Sequence, residues 1–413
     1  MSSSTNPASN SSSKTSKSSK IEKIIFGGSG LTRENGCVIF VPFSAPGDEV
    51  TLKVIQEKKR YKIAQIQHLL TPGQDRVSPR CPHFQKCGGC QLQHLSYKAQ
   101  LQAKQSFAQE TLDLPVEIVP AASSWNYRSH LRFNLKKKGK GFQFGFIGID
   151  NHTLVEIQYC PLFLEDPEFF SALKSYLASL PNHGIQSGSF RLFKTKQHFT
   201  LAFSFYPKLP STLLPFPLAQ GTAFKSPKKE VHLGTTQIPA KVLGLPVQFS
   251  PYGFMQNNLS MSEHLYQTTL DWIGTAPKKI LDLYCGVGIT STLLAQRGHT
   301  VIGVDSNKAT LKKNSSAHFI CNSVEHVLPK LLESFQPDVI LVNPPRTGLS
   351  KEVRLLLNAP QLLYISCMPP TLKRDLEDLK NIYTLKEAKA FDMFPQTTHV
   401  EILTNLTKIA DKK

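Results

Sequence analysis

The segment Lys279 to Thr290, K-I-L-D-L-Y-C-G-V-G-I-T, constrains this chain more than any other. An apolar run of Ile280, Leu281 and Leu283 meets an acid, an aromatic and two glycines one residue apart, then passes into a helix-compatible stretch, Ile289 to Gln296. This is the pattern of a buried strand, a tight turn and a helix start. Gly286 and Gly288 let the backbone turn sharply and approach a ligand with no Cβ in between. After a second strand expected over Thr300 to Val304 comes Asp305, where a doubly wound nucleotide-binding domain places an acid on a ribose diol. A third glycine at dinucleotide spacing is missing, which argues against a nicotinamide cofactor. The short turn suits a smaller adenosine ligand, S-adenosylmethionine, although a purely structural turn would explain the glycine pair taken alone.

The βα rhythm continues downstream. Strands are expected over Asp338 to Asn343 and Leu362 to Cys367, with two closing strands over Tyr383 to Phe391 and His399 to Leu406; an amphipathic helix, Met261 to Gly274, precedes them after P-Y-G-F-M-Q-N-N. Tyr284, Asp305, Asn343 and Cys367 then fall at the carboxyl ends of strands, which line one crevice in an open α/β sheet. Cys367 lies in I-S-C-M-P-P, just before a helix opened by Pro370-Thr371, where the dipole and free N–H groups give a thiol thiolate character. A lone cysteine is more often buried and inert. Its company argues otherwise: an Asn-Pro-Pro-Arg turn at 343 to 346, and a lone acid, Glu401, in a strand preceded by F-P-Q-T-T-H.

The 413 residues suggest two or three domains. A net charge of +18, from 48 Lys plus Arg against 30 Asp plus Glu, makes an anionic polymer the first partner to consider, since phosphates reward distributed positive charge. No apolar run is long enough for a membrane span. The segment Met1 to Lys20 is rich in Ser, Asn, Thr and Lys, lacks an apolar core and reads as a disordered basic tail rather than a secretory signal, pointing to a cytoplasmic protein. The eight cysteines, at 37, 81, 87, 90, 160, 285, 321 and 367, are then expected reduced, and clusters among them favour metal over disulfides.

Ile21 to Leu70 reads as strands separated by Gly27-Gly28-Ser29-Gly30, Asn35-Gly36 and Pro46-Gly47-Asp48, a β-barrel of OB-like size with a basic segment, Lys58 to Lys62. In R-C-P-H-F-Q-K-C-G-G-C-Q-L-Q-H, residues 80 to 94, the cysteines are spaced C-x5-C-x2-C, and Gly88-Gly89 let main-chain N–H groups turn toward sulfur. Cys160, in Q-Y-C-P, is the nearest candidate to close the set Cys81, Cys87, Cys90 and Cys160. This irregular spacing favours a [4Fe-4S] cluster over zinc, whose ribbons pair cysteines two and two. His83 and His94 read as polar surface residues. Ser96 to Leu112 has helical periodicity, with Leu101, Ala108 and Leu112 toward the inside. From Val116 to Phe249 the pattern is β-rich. Arg128, Arg132, Lys136, Lys137, Lys138 and Lys140 interleave there with Phe133, Phe142, Phe144 and Phe146, a mixture able to pair phosphates and stack splayed bases, or to make an ordinary solvated sheet face. Pro207 to Pro217 reads as an extended loop.

The pieces V-S-P-R-C-P-H-F-Q-K-C-G-G-C-Q-L-Q-H, F-M-Q-N-N, D-L-Y-C-G-V-G, N-P-P-R-T-G, S-C-M-P and F-P-Q-T-T-H-V-E, spread over nearly the whole chain after the tail, resemble the S-adenosylmethionine-dependent RNA 5-methyluridine methyltransferases. The resemblance is to the 23S rRNA (uracil-5-)-methyltransferase type with a TRAM domain and a [4Fe-4S] cluster. It implies a disordered tail (1–20), a TRAM or OB-like barrel (21–70), a central RNA-binding domain with the cluster (71–250) and a Rossmann-like α/β methyltransferase domain (251–413), with helix 96–112 packed on the last. Cys367 matches the family's nucleophile and Glu401 its base. Gln256, Tyr284 and Asp305 match donor-binding positions, with Asn343 and, in weaker local context, Asn322 near them, and the four cysteines match the cluster ligands. The implied substrate is a single-stranded or loop uridine, with no membrane and no obligate protein partner. Two residues depart from the pattern: Asn343 stands where the family usually has Asp, and Ile289 where a polar residue is common, which bears on donor affinity and rate. Two other readings compete. One takes N-P-P-R as a relative of the turn used for exocyclic amines, against which Arg346 and Cys367 count; the other is an iron-sulfur RNA-binding protein without turnover.

Overall fold

The structure, a computed structural model, describes residues 18–194, 198–306 and 316–410. It divides into two compact units: one holds residues up to Ser78 with His94–Ser96, the other Pro79–Gln93 with everything from Tyr97 onward. Of the tail expected over 1–20, residues 1–17 lie outside the described residues, and the last three form a strand instead.

The first unit is one six-stranded sheet of β1 (Ser18–Lys20), β2 (Lys23–Ile24), β3 (Ser29–Glu34), β4 (Cys37–Pro42), β5 (Glu49–Glu57) and β6 (Tyr61–Thr71), in the order β1-β5-β6-β4-β3-β2. The sheet curls, bringing β1 at one edge back against β3. Ile21, Ile39, Val41, Val50 and Ala64 form its small core. In the Pro46-Gly47-Asp48 turn, the buried Asp48 accepts from Gly73 N (2.9 Å) and Arg76 Nε (2.9 Å). Burial pushes this carboxyl up, but Arg76 and the amides of Ala45 and Gly73 more than offset it and hold it below its usual value. His94, expected at the surface, is buried, with Nε2 3.0 Å from Ser44 O.

In the second unit, α1 (Tyr97–Leu112) leads into β7 (Glu117–Val119). A seven-stranded sheet then forms from β8 (His130–Lys138), β9 (Gly141–Ile147), β10 (Leu154–Glu156), β11 (Ser187–Lys194), β12 (Phe199–Tyr206), β13 (Gly221–Lys225) and β14 (Glu230–Gly234), with α2 (Pro167–Ser179) inserted after β10. Asp166 caps α2 by accepting from Phe169 N, and Pro167 opens it, where no N–H is missed. One sheet face and α2 enclose a phenylalanine core that includes Phe133, Phe142, Phe144, Phe170 and Phe190. The aromatics expected to stack on bases therefore point inward, while Arg132, Lys136, Lys137, Lys138 and Lys140 are exposed. A hairpin of β15 (Ile238–Val242) and β16 (Leu245–Phe249) follows.

The rest is a doubly wound layer. It comprises α3 (Leu259–Ile273), β17 (Lys279–Leu283), α4 (Ile289–Gln296), β18 (Thr300–Asp305), β19 (His318–Cys321), α5 (Val324–Phe335), β20 (Val339–Val342), α6 (Lys351–Leu356), β21 (Gln361–Ser366), α7 (Pro369–Leu379), β22 (Tyr383–Phe391) and β23 (Glu401–Lys408). The sheet order is β19-β18-β17-β20-β21-β23-β22-β7, parallel except for β23, which runs against both neighbours. Strand order reverses between β17 and β20, the switch point at which open α/β sheets bind ligands. No break in contacts falls near residue 250. β7 extends this sheet, α1 packs on α7, and the β15–β16 hairpin shares an apolar core with α3. No described helix is long and apolar enough to cross a membrane.

Candidate active site

A cavity of about 730 Å³ opens at the carboxyl ends of β17, β18, β20 and β21, and Gln256, Tyr284, Asp305, Asn343, Cys367 and Glu401 all line it. Six positions taken from six separate stretches of sequence thus meet in one space. Asn322 does not line it; it is exposed, its backbone N–H donating to Asp305 O at 3.1 Å.

At the glycine turn, Tyr284, Gly286 and Gly288 take left-handed φ values of 60°, 56° and 72°. A Cβ on Gly288 would lie 2.4 Å from the Phe319 ring, so the turn needs glycine there for packing as well as for conformation. Asp305 Oδ2 accepts from Gly286 N at 2.9 Å, which ties the β18 end to the turn. The Tyr284 hydroxyl reaches Glu325 Oε1 at 3.4 Å, and the Gln256 side chain hydrogen-bonds the Tyr266 hydroxyl. Ile289 is buried in the first turn of α4 and also borders the cavity. Beneath them Asp282, which the sequence did not single out, accepts from Ser291 Oγ at 2.5 Å; burial pushes it up to about 7, with Asp305 adding to the shift.

Cys367 lies between β21 and α7, half-buried. The helix start was expected to ionise it. Instead burial, and then the nearby Glu401, push the thiol up to about 11, against an opposing pull from Arg346. The helix start offers little to oppose this: Pro369 and Pro370 occupy the first two positions of α7 and have no N–H with which to hold a thiolate. Glu401, first residue of β23, is buried; burial raises its carboxyl to about 8, again opposed by Arg346. Arg346 Nη2 also lies 3.2 Å from His399 Nε2. Burial, then Arg346, lowers His399 to about 4, so this imidazole is neutral and accepts from the guanidinium. One guanidinium therefore stands beside a thiol, a carboxyl and an imidazole, an arrangement suited to exchanging protons between sulfur and carboxylate.

The loop from Asp392 to Val400 carries His399, leads into Glu401 and is held from several sides. Lys104, fully buried on α1, pairs with Asp392 and donates to Phe394 O at 2.8 Å, while Tyr97 donates to Asp392 Oδ2 at 2.8 Å. Gln100 and Gln396 exchange two hydrogen bonds of 2.9 Å, and the Tyr127 hydroxyl donates to Pro395 O at 3.1 Å. Gln396 O accepts from both Gln91 N (3.1 Å) and Leu92 N (3.0 Å), directly after Cys90. Leu101 and Leu112, expected inside α1, are only half-buried, and the buried face instead includes Gln100 and Lys104. A lysine repeating with the apolar positions of that helix was the available signal.

Cys81, Cys87, Cys90 and Cys160 line a second cavity, of about 280 Å³, with Arg128. Gly89 N–H donates to Cys87 Sγ at 3.4 Å, as the glycine pair suggested, whereas Gly88 N–H goes to Ile147 O. His83 borders the same cavity, its Nε2 accepting from Gln158 N at 3.0 Å. Burial pushes the Cys90 and Cys160 thiols up to about 12 and about 11, with Arg128 opposing in both. The Arg128 Nε is buried with no hydrogen-bond partner among the described residues. Among those residues no three His, Cys, Asp or Glu side chains converge on a point fit for a single metal ion. Four sulfurs around a hollow, with a buried cation beside them, suit an anionic polynuclear group better than one zinc, which needs every sulfur about 2.3 Å from one centre.

Residues 325–409 match the family model described as tRNA (uracil-5-)-methyltransferase, and 18–74 match that of the TRAM domain of tRNA (uracil(54)-C(5))-methyltransferase. The chain is 40% identical over 422 residues to an uncharacterized RNA methyltransferase of Protochlamydia amoebophila, covering 94% of this chain and 97% of the relative. It is 31% identical over 420 residues to another from Aquifex aeolicus, with the same coverage of 94% and 97%. Among solved structures it is similar to the tRNA (uracil-54, C5)-methyltransferase of Pyrococcus abyssi in complex with S-adenosyl-L-homocysteine, with a TM-score of 0.74 and 26% identity over 94% of this chain and 100% of that one.

Proposed function

The chain belongs to the S-adenosylmethionine-dependent RNA (uracil-5-)-methyltransferase family with a TRAM domain, and within it we propose that this protein methylates C5 of a uridine in 23S rRNA through a covalent adduct to Cys367. The observation that carries this reading is the single cavity shared by Cys367, Glu401 and the Gly286 turn.

The chemistry requires each part. C5 of uracil is a poor nucleophile. Addition of the Cys367 thiolate at C6 makes C5 an enolate-like carbon, which attacks the methyl on sulfonium and releases S-adenosylhomocysteine. Glu401 then removes the C5 proton, and elimination of the thiol restores the ring. Glu401 near neutrality is suited to shuttling protons, since a base works best with its pKa close to the working pH. Arg346 favours the anionic forms of both groups. Asp305 would hold the donor's ribose hydroxyls, with Tyr284, Gln256 and Asn343 around the rest of the donor. A stacked uracil cannot reach Cys367, so the base must leave its stack. Cys81, Cys87, Cys90 and Cys160 would hold a [4Fe-4S] cluster, a group that would order the surrounding loops.

The test uses RNA substituted with 5-fluorouridine, in which fluorine replaces the proton that Glu401 must remove. With S-adenosylmethionine and 23S rRNA fragments, a covalent complex should accumulate for the native protein and vanish in Cys367→Ala. No adduct with any RNA would sink the mechanism. Similarity to a tRNA-modifying enzyme over the whole of that structure supports a second reading, a tRNA uridine as target; adduct formation on tRNA alone would select it.

A further inference from the structure

Arg132 on β8 and Arg191 on β11 stand directly opposite each other across two antiparallel strands. Like charges in that position repel and cost stability. No carboxylate among the described residues relieves them. Arg191 donates Nη1 to Gly253 O at 2.6 Å, a neutral acceptor, and Arg132 is exposed. Burial and the neighbouring Arg132 together press the Arg191 pKa down, so the pair's charges are felt as a conflict. Toward one end of the strands the next residues on the same face are Ser189 and Asn134, with Ala202 and Ser204 across on β12; toward the other stand the stacked rings of Phe193 and His130, so the two guanidinium groups are flanked by short side chains on one side only. The opposite face of both strands is the phenylalanine core.

Position adds a second reason. Arg191 lines the large cavity that holds Cys367, whereas Arg132 lines the cysteine-bearing one, so the pair spans the ridge between them. From the repulsion, the small neighbours on one side and this placement, we propose that Arg132 and Arg191 form a phosphate clamp that grips the RNA backbone beside the extruded uridine. This rests on the reading above that RNA enters this cavity. Guanidinium forks match phosphate oxygens bidentately, and an anion between them would turn the repulsion into attraction. Phosphate contacts set register without reading sequence, so the clamp fixes which nucleotide is presented to Cys367.

The rival explanation is that Arg132 merely balances charge at the cysteine cavity. To decide, bind a fluorescent uridine-rich single-stranded oligoribonucleotide to the full chain over a KCl series, and measure iron content and S-adenosylhomocysteine affinity of the same preparations. Arg132→Gln should weaken RNA binding by about tenfold and reduce the slope of log K against log [KCl] by about 0.7, the value for one single-strand phosphate contact. Iron content and S-adenosylhomocysteine affinity should stay at native levels, and Arg132→Lys should keep the slope while losing part of the affinity. Unchanged RNA affinity and slope, or loss of iron with native RNA affinity, would overturn the clamp. A reduced slope in a protein that forms no fluorouridine adduct would leave the clamp standing and remove the mechanism instead.

Discussion

Cys367 and Glu401 are both buried into their neutral forms, and Arg346 opposes that burial in each. The proposed mechanism needs the anions, so under it kcat/KM for RNA should rise with pH through about 8, the value set for Glu401, and continue upward as the thiol begins to ionise. A profile flat from pH 6 to 9 would contradict this. Stability runs the other way. The folded state holds a proton on Glu401 that the unfolded chain gives up at its ordinary carboxylate pKa, so folding is unpenalised below that value and loses stability as pH climbs to about 8. Glu401→Gln removes the penalty. It should raise the melting temperature at pH 8.5 by the equivalent of roughly 1 kcal/mol or more, while trapping methylated uridine on Cys367 as an adduct that does not eliminate. That these residues share one cavity could be read because each sits at a strand end or in a distinctive short word. Their protonation could not, because it depends on Arg346 arriving from another loop and on two prolines that deprive α7 of amide donors.

Among the elements, the β17–α4 turn was legible to the residue because all its determinants are local: an apolar strand, two glycines with positive φ and a helix former at once. β7 and β19, three and four residues long, were not, since so short a strand is specified by its distant partners rather than by its own pattern. The same limit applies to α1. Its periodicity gave the helix, but its inward lysine made sense only with Asp392 opposite. Lys104→Met should leave a buried carboxylate with no counter-charge, hydrogen-bonded by Tyr97 alone, and destabilise the second unit by about 3–5 kcal/mol in denaturant unfolding. The double change with Asp392→Leu should recover most of that loss. If the single change costs under about 1 kcal/mol, the pair is not the anchor of the Asp392 to Val400 loop.

On the scale of the whole molecule, the excess of 18 positive charges anticipated a polyanionic partner, and the RNA methyltransferase family accounts for it. The location of that charge needed the structure: alternation along β8 and β9 places phenylalanines in one layer and Arg132, Lys136 and Lys138 on the other face, while Lys137, opposite Phe142, is exposed where the phenylalanine face ends. A similar limit hid the origin of one edge strand: β7, at Glu117–Val119, comes from far upstream to complete the last sheet. The four-cysteine cavity makes its own prediction: anaerobic preparations should contain iron and acid-labile sulfide in equal amounts, both lost in Cys90→Ser, and stoichiometric zinc without iron would refute a cluster. Gln396 gives this cavity a wider reach. Its carbonyl takes two amides from the residues that follow Cys90, and Glu401 lies five positions farther along the same backbone. Under the proposal that these thiols hold a cluster, withholding iron should therefore speed hydrogen-deuterium exchange not only around the thiols but in the peptide bearing Glu401, so that a shortage of metal in the cell would be felt as unmethylated RNA.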